Sequence, residues 1–237
     1  MKYITLPAEY SANRRLSFYL AMEEYVARKL DSGDYFFMWQ VEPTVIFGRN
    51  QVLENEVNVA YCREHGIELF RRKSGGGCVY ADSSNVMMSF VTPDDNIILT
   101  FNRFIGMILL VLRELGVEAT GTSHNDIMIG DRKVSGAAYY HLQGRSIVHA
   151  TMLYDTDMEH MTKAITPSRE KMQRKGIESV RQRITLLKDH ICLSLDDFKA
   201  FARKTLCDSE LVLTPDDVTA IEQIEQDYLN TAFIERL

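Results

Sequence analysis

Two periods alternate along the 237 residues of this chain: apolar residues at helical spacing over long stretches, and short β-branched and aromatic runs between turn residues. Leu16, Tyr19, Leu20, Val26, Ala27 and Leu30 keep a 3.6-residue spacing; Ser11 or Asn13 is placed to cap this helix, and Asp31-Ser32-Gly33-Asp34 stops it. Runs 35–39 and 44–48 read as two strands of a hairpin around Glu42-Pro43. A short helix over 59–65 ends at Gly66, and 67–70 reads as a strand. Runs 78–80 and 86–91 read as a second hairpin about the turn 81–85. A helix over 99–115 is closed by Gly116, and its stretch 107–112 is apolar nearly all round, which predicts burial. Residues 126–129 and 133–140 read as a hairpin on Gly130-Asp131, followed by a strand over 145–155. Helices over 157–165, 195–206 and 215–233 complete the pattern. No repeat, low-complexity tract or Pro/Gly linker interrupts it, so one domain is the economical reading.

Composition adds little to the fold but removes several functions. With 46% apolar and 25% charged residues the chain has ordinary globular composition and can bury a sizeable core. A net charge of −6 argues against a general nucleic-acid binder, which needs a basic face, so any anion site must be small. Cys62, Cys78, Cys192 and Cys207 are scattered without a Cys-x-x-Cys pair; neither a disulfide framework nor a zinc site is expected. Cys62, Cys192 and Cys207 fall on expected helices, where thiols are usually buried. The amino terminus lacks a signal-peptide core, which points to the cytoplasm, and the longest apolar run, 106–112, is far below the ~20 residues that span a bilayer.

The candidate chemistry centres on Arg71-Arg72-Lys73-Ser74-Gly75-Gly76-Gly77-Cys78-Val79-Tyr80. Consecutive glycines let the backbone approach a ligand and form an anion nest, and the three cations before them would supply its charge-assisted half. A plain glycine-rich turn with a solvated basic shoulder is the alternative. Lying between two expected strands, the loop fits neither the dinucleotide fingerprint nor the phosphate loop, each of which opens a helix. Gly48-Arg49-Asn50-Gln51 is a polar turn that would face the same ligand, and Trp39 is a core or wall residue. Lys133 stands at the mouth of its hairpin beside the small residues Ser135, Gly136, Ala137 and Ala138, which leave room for a ligand or for a closely packed strand. His149 lies in an apolar strand, and 168–175 is a basic loop, which reads as solvated or, in the functional alternative, as lying beside an anionic substrate.

Three blocks carry a family resemblance: 71–80; Asn125-Asp126 with Asp131-Arg132-Lys133-Val134-Ser135-Gly136-Ala137-Ala138-Tyr139; and Lys175-Gly176-Ile177-Glu178-Ser179-Val180-Arg181-Gln182-Arg183. In this order they resemble the lipoate-protein ligase A family, from the first helix to about Leu187. The resemblance implies an α/β (α+β) fold, a mixed central β-sheet flanked by helices. This is the biotin/lipoate protein ligase catalytic domain, also found in octanoyltransferases, in which a Gly-rich hairpin covers an acyl-adenylate. It implies a single such domain over 1–237, without the C-terminal accessory domain of longer ligases.

The implied chemistry uses ATP and Mg²⁺ to activate lipoate to lipoyl-AMP, then passes the lipoyl group to a lysine of acceptor lipoyl domains, in 2-oxoacid dehydrogenase E2 subunits and the glycine cleavage H protein. By resemblance the nucleotide site holds Arg72, Ser74, Gly75, Gly76, Gly77, Cys78, Val79, Tyr80, Asn125, Asp126 and Lys133, with Arg72 on the phosphate and Asp126 near Mg²⁺. Lys133 bridges the lipoyl carboxyl oxygen and the α-phosphate. Trp39, Ser135, Gly136, Ala137, Ala138, His149 and Ala150 join Lys133 around the lipoyl chain. Two departures stand out: Cys78 replaces the family's Ala and Ala150 the Gly of its His-Gly-Thr, each expected to add bulk beside the ligand. Without an accessory domain, adenylate formation would need a partner chain, or the protein would only transfer a pre-activated or protein-bound octanoyl or lipoyl group. Transfer through a thioester would fall to Cys78. A non-catalytic lipoate or adenylate binder is the remaining alternative. Neither nucleic acid nor a membrane is expected as partner.

Overall fold

A computed structural model describes residues 1–12, 14–94, 96–142, 144–166 and 183–234. The expected cap Asn13 and the basic loop 168–175 lie outside the described residues, as does most of the third block. In chain order the elements are β1 (Lys2–Thr5), α1 (Leu16–Lys29), β2 (Tyr35–Trp39), β3 (Thr44–Phe47), α2 (Leu53–Glu56), α3 (Val59–Glu64), β4 (Glu68–Arg71), β5 (Val79–Ala81), β6 (Val86–Thr92) and α4 (Ile97–Glu114). They continue with β7 (Ala119–Gly121), β8 (Asp126–Ile129), β9 (Arg132–Leu142), β10 (Arg145–Met152), α5 (Met158–Ala164), α6 (Leu195–Leu206), β11 (Ser209–Val212), α7 (Pro215–Leu229) and α8 (Thr231–Ile234).

The strands form an eight-stranded sheet, β11-β1-β2-β6-β10-β9-β8-β7, and a three-stranded sheet, β4-β3-β5. β1 runs parallel to β2 and β11, whereas β2, β6, β10, β9, β8 and β7 pair antiparallel in turn, so the large sheet is mixed. Strand alternation divides the core between its two faces. Phe37 and Ile147 pack with α1 and α7 on one face, and Phe36 and Val148 with α4 and α6 on the other. Each fully buried phenylalanine contributes about 1.5–3 kcal/mol. A third cluster, with Val45, Cys62, Tyr80, Leu153 and Ile184, underlies the small sheet.

Neither of the first two expected hairpins forms. β2 pairs with β1 and β6, while β3 pairs with β4 and β5 in the other sheet. β5 and β6 are likewise split between sheets. β3 and β6 are buried on both faces, and β2 at every position but Met38, so local alternation carried no information about their partners. α4 buries only one face, through Thr100, Phe104, Ile108, Val111 and Leu112, and leaves Ile97, Ile98 and Leu99 exposed. Asn96 caps it, accepting from the Leu99 N–H at 3.0 Å. α1 has no side-chain cap: the Ser11 hydroxyl instead donates to Ala8 O. The last expected helix breaks at Asn230 into α7 and α8. Cys192 is exposed in a loop and Cys207 follows α6, leaving Cys62 as the buried helical thiol. The hairpin of β8 and β9 forms as expected, with Gly130 left-handed at its turn (φ 60°).

Candidate functional site

β4 delivers the chain into the glycine loop, and β5 receives it antiparallel to β3. The loop lies directly on Gly48, where an added Cβ would stand 2.1 Å from Gly76 O. Arg49 N–H donates to Ser74 O at 2.9 Å and Arg72 N–H to Phe47 O at 3.0 Å, so the polar turn after β3 braces the loop. Gly76 itself is left-handed (φ 96°), which glycine alone adopts without strain.

Arg71 and Lys73 are turned into the protein, contrary to both expected readings, while Arg72 is buried at the border of a cavity. Arg71 donates to the carbonyls of Gly48, Arg49, Gln51 and Ile234 and stacks over Phe47. Arg72 donates to Gly75 O, Gly77 O and Ile46 O. Burial pushes its pKa down to about 10, so it stays cationic at neutral pH. Lys73 pairs with the buried Glu24 at 2.6 Å and lies over the Tyr228 ring. Such a loop exposes many backbone carbonyls that need partners, and guanidinium groups are efficient multiple donors. Arg72 therefore shapes the glycine loop, Arg71 holds the turn after β3, and Lys73 ties the loop to α1. Of the three side chains, only Arg72 borders the cavity described next.

Lys133 reaches that cavity because β9 is irregular. Asp126 faces Gly136 and Ile127 faces Ser135, but Met128 faces Lys133, leaving Val134 as an extra residue. A bulge reverses the alternation at that point. Lys133 consequently shares a face with Gly136: an added Gly136 Cβ would meet Lys133 Nζ at 2.3 Å and Asp126 Oδ1 at 3.3 Å. The ammonium pairs with Asp126 Oδ1 at 2.7 Å. Burial lowers its pKa, against the opposing effect of Asp126, while the nearby Arg183 and Arg72 lower it further.

A buried hydrogen-bond chain runs from the apolar wall to the glycine loop. Trp39 Nε1 donates to Ser89 Oγ (2.9 Å), which donates to Glu23 Oε1 (2.6 Å). Glu23 Oε2 lies 2.9 Å from His149 Nδ1, and His149 Nε2 lies 2.7 Å from Ser74 Oγ. A carboxylate only accepts, so Nδ1 carries a proton, and Nε2 shares the second hydrogen bond with the Ser74 hydroxyl. Tyr19 stacks on Trp39 with ring centroids 4.7 Å apart.

The cavity, about 370 Å³, has a polar end at Arg72, Asp126, Lys133, His124 and Arg183 and apolar walls from Leu20, Trp39, Ile46, Met87, Leu153, Met161, Ile165 and Ile184. Gly76, Gly77, Cys78, Val79, Gly136, Ala137, Ala138, His149, Ala150 and Thr151 also border it, as does the buried Glu56. Ser74, Gly75, Tyr80, Asn125 and Ser135 do not border it. Ser74 is taken by His149, and the Tyr80 ring is buried under the small sheet. Asn125 is a left-handed turn residue (φ 60°) whose carbonyl accepts from Ala137 N–H, and Ser135 pairs with Ile127. Ala150 packs in the α4-side core, so by strand alternation its methyl group points away from the Lys133 face, where extra bulk was expected.

The residues present do not make an Mg²⁺ site by themselves. Both Asp126 oxygens are engaged by cations, Lys133 and Arg183, and no group of three or more His, Cys, Asp or Glu among the described residues is placed to hold a metal. Glu23 and Arg183 had no role from sequence. The available signal for Glu23 was a carboxylate pair, Glu23-Glu24, inside an apolar helical stretch.

The model of the lipoyl protein ligase A/B catalytic domain matches residues 16–206. Lipoate–protein ligase 1 of Staphylococcus aureus is 36% identical over 220 residues, covering 90% of this chain and 67% of that protein. Lipoate-protein ligase LplJ of Bacillus subtilis is 33% identical over 219 residues, covering 88% of this chain and 66% of that protein. The chain thus spans about two thirds of the length of these relatives. A solved structure described as a bi-partite lipoate protein ligase and its E2 lipoyl domain from Thermoplasma acidophilum superposes with a TM-score of 0.84 at 26% identity, covering 99% of this chain and 95% of that one. The mixed sheet flanked by helices is the fold of these ligases, and the chain belongs to the lipoyl protein ligase A/B catalytic-domain family.

Proposed function

We propose that this chain is a lipoate-protein ligase: it activates lipoate with ATP to lipoyl-AMP and transfers the lipoyl group to a lysine of an acceptor lipoyl domain. The observation that carries this reading is one cavity with an ammonium, Lys133, at its polar end and an apolar lining running back to Trp39. In the first step a carboxylate oxygen attacks the α-phosphorus of ATP and pyrophosphate leaves; both partners are anions. Lys133 would lie between them, offsetting their repulsion and stabilising the negative charge of the transition state, an effect commonly worth about 3 kcal/mol. In the second step the acceptor's ε-amine attacks the acyl carbon and AMP leaves. The glycine loop would hold the adenylate with main-chain groups, while the apolar walls bind the acyl chain and exclude water. E2 subunits and the glycine cleavage H protein are the acceptors this chemistry suits.

Purified protein incubated with ATP, Mg²⁺, lipoate and an acceptor lipoyl domain should release pyrophosphate and raise the acceptor's mass by one lipoyl group. Lys133→Ala should lose pyrophosphate release by roughly a hundredfold or more while keeping its melting temperature. Turnover like that of the unaltered protein would refute the role of Lys133. Acyl transfer from a carrier without ATP would instead favour the thioester route through Cys78. Binding of lipoate without pyrophosphate release, with or without acceptor, would leave a carrier protein.

A further inference from the structure

Asp126 carries two ion pairs at once. Oδ1 lies 2.7 Å from the Lys133 ammonium, and Oδ2 accepts from Arg183 Nη2 at 2.6 Å. The backbone fixes this arrangement as well: Ile184 forms a parallel bridge with Lys133, and Thr185 N–H donates to Lys133 O at 2.9 Å. The segment that carries the arginine is therefore fastened to the residue whose counter-ion it shares. Asp126, Lys133 and Arg183 all border the cavity.

An ammonium has several N–H donors, and a carboxylate alone with it can accept through both oxygens. A planar guanidinium on Oδ2 fixes the plane of the carboxylate and keeps that oxygen occupied. Lys133 then meets one oxygen and retains its other donors for a ligand. We infer that Arg183 is a positioning residue, which by sharing Asp126 keeps the Lys133 ammonium available to the reacting oxygens. The inference rests on the ligase reading above and extends it to a residue outside the glycine loop and the Lys133 strand.

The test compares Arg183→Gln with the unaltered chain in pyrophosphate release from ATP and lipoate. We expect kcat to fall about tenfold or more, the equivalent of about 1.4 kcal/mol. KM for both substrates should stay within roughly threefold, and Arg183→Lys should recover most of the loss. In an Asp126→Asn background, Arg183→Gln should cost nothing further, because the group it acts through is gone. An unchanged kcat, a loss carried by KM, or an equal loss in the Asp126→Asn background would overturn the inference. A second readout needs no catalysis: acetylation of Lys133 by limiting acetic anhydride, mapped by peptide mass. Removing Arg183 gives the ammonium the whole carboxylate and takes away a positive neighbour; both favour the protonated, unreactive form, so labelling should slow. Unchanged or faster labelling also overturns the inference. Should the unaltered protein release no pyrophosphate, the ligase reading falls, while the labelling comparison still decides whether Arg183 governs Lys133.

Discussion

Gly136→Ala separates catalysis from folding. Gly136 is not in the left-handed region, so its backbone accepts alanine without strain. The new methyl would stand 2.3 Å from Lys133 Nζ and 2.6 Å from Cε, where ordinary contacts begin at 3.4 Å. The nearest obstacle is the far end of a flexible side chain, which can withdraw by about 1 Å at a rotamer cost of about 0.5–1.5 kcal/mol. Losing a glycine from the unfolded chain returns about 0.4–1 kcal/mol, so the melting temperature should shift by no more than a few degrees. The ammonium, however, must leave its position beside Asp126, and a displacement near 1 Å at a reacting group costs about a hundredfold. That corresponds to about 2.7 kcal/mol of barrier. The assay is pyrophosphate release under saturating ATP and lipoate, with a thermal melt on the same preparation. A kcat within about threefold of the unaltered protein would refute the placement of Lys133 as the reacting cation. A collapsed melt would refute the packing argument.

Gly48→Ala should behave in the opposite way, because its methyl would meet the Gly76 carbonyl at 2.1 Å and that backbone cannot swing aside. Overpacking of this kind costs about 1–3 kcal/mol, so we expect the melting temperature to fall by several degrees together with activity; a full-strength melt would show that the loop relaxes freely. Glu23→Gln removes the charge and turns one of the two oxygens that accept from Ser89 and His149 into an N–H donor facing a donor, and should cost about 1.5–3 kcal/mol in urea unfolding. Because Trp39 is the only tryptophan and donates to Ser89, its emission should change in the folded state of that variant. An unaltered spectrum would break the proposed hydrogen-bond chain.

Much of the local structure was legible because it depends on neighbours in sequence. α6 follows from its apolar spacing and the Ser194 cap, and the β8–β9 hairpin from the turn at Gly130. α3 ends where Gly66 requires a left-handed residue. The short strands β1, β7 and β11 and the single-turn α2 escaped, since so few residues show no period; β1 exists because β2 and β11 flank it.

The sequence by itself determined that a flexible glycine turn sits between strands and that a lysine stands at a hairpin mouth beside small residues. It also carried the three blocks that mark the family. Tertiary structure alone decided what those features do. Glu23 meets His149 across 126 residues and Arg183 meets Asp126 across 57, pairings that no local period records. Arg72 faces inward to the loop's own carbonyls, Arg71 to those of the turn after β3 and Lys73 to a buried glutamate, and hydrogen-bond supply is settled only once the chain has folded back. One extra residue opposite β8, Val134, turns Lys133 into the cavity, and its position depends on the register β9 adopts against β8.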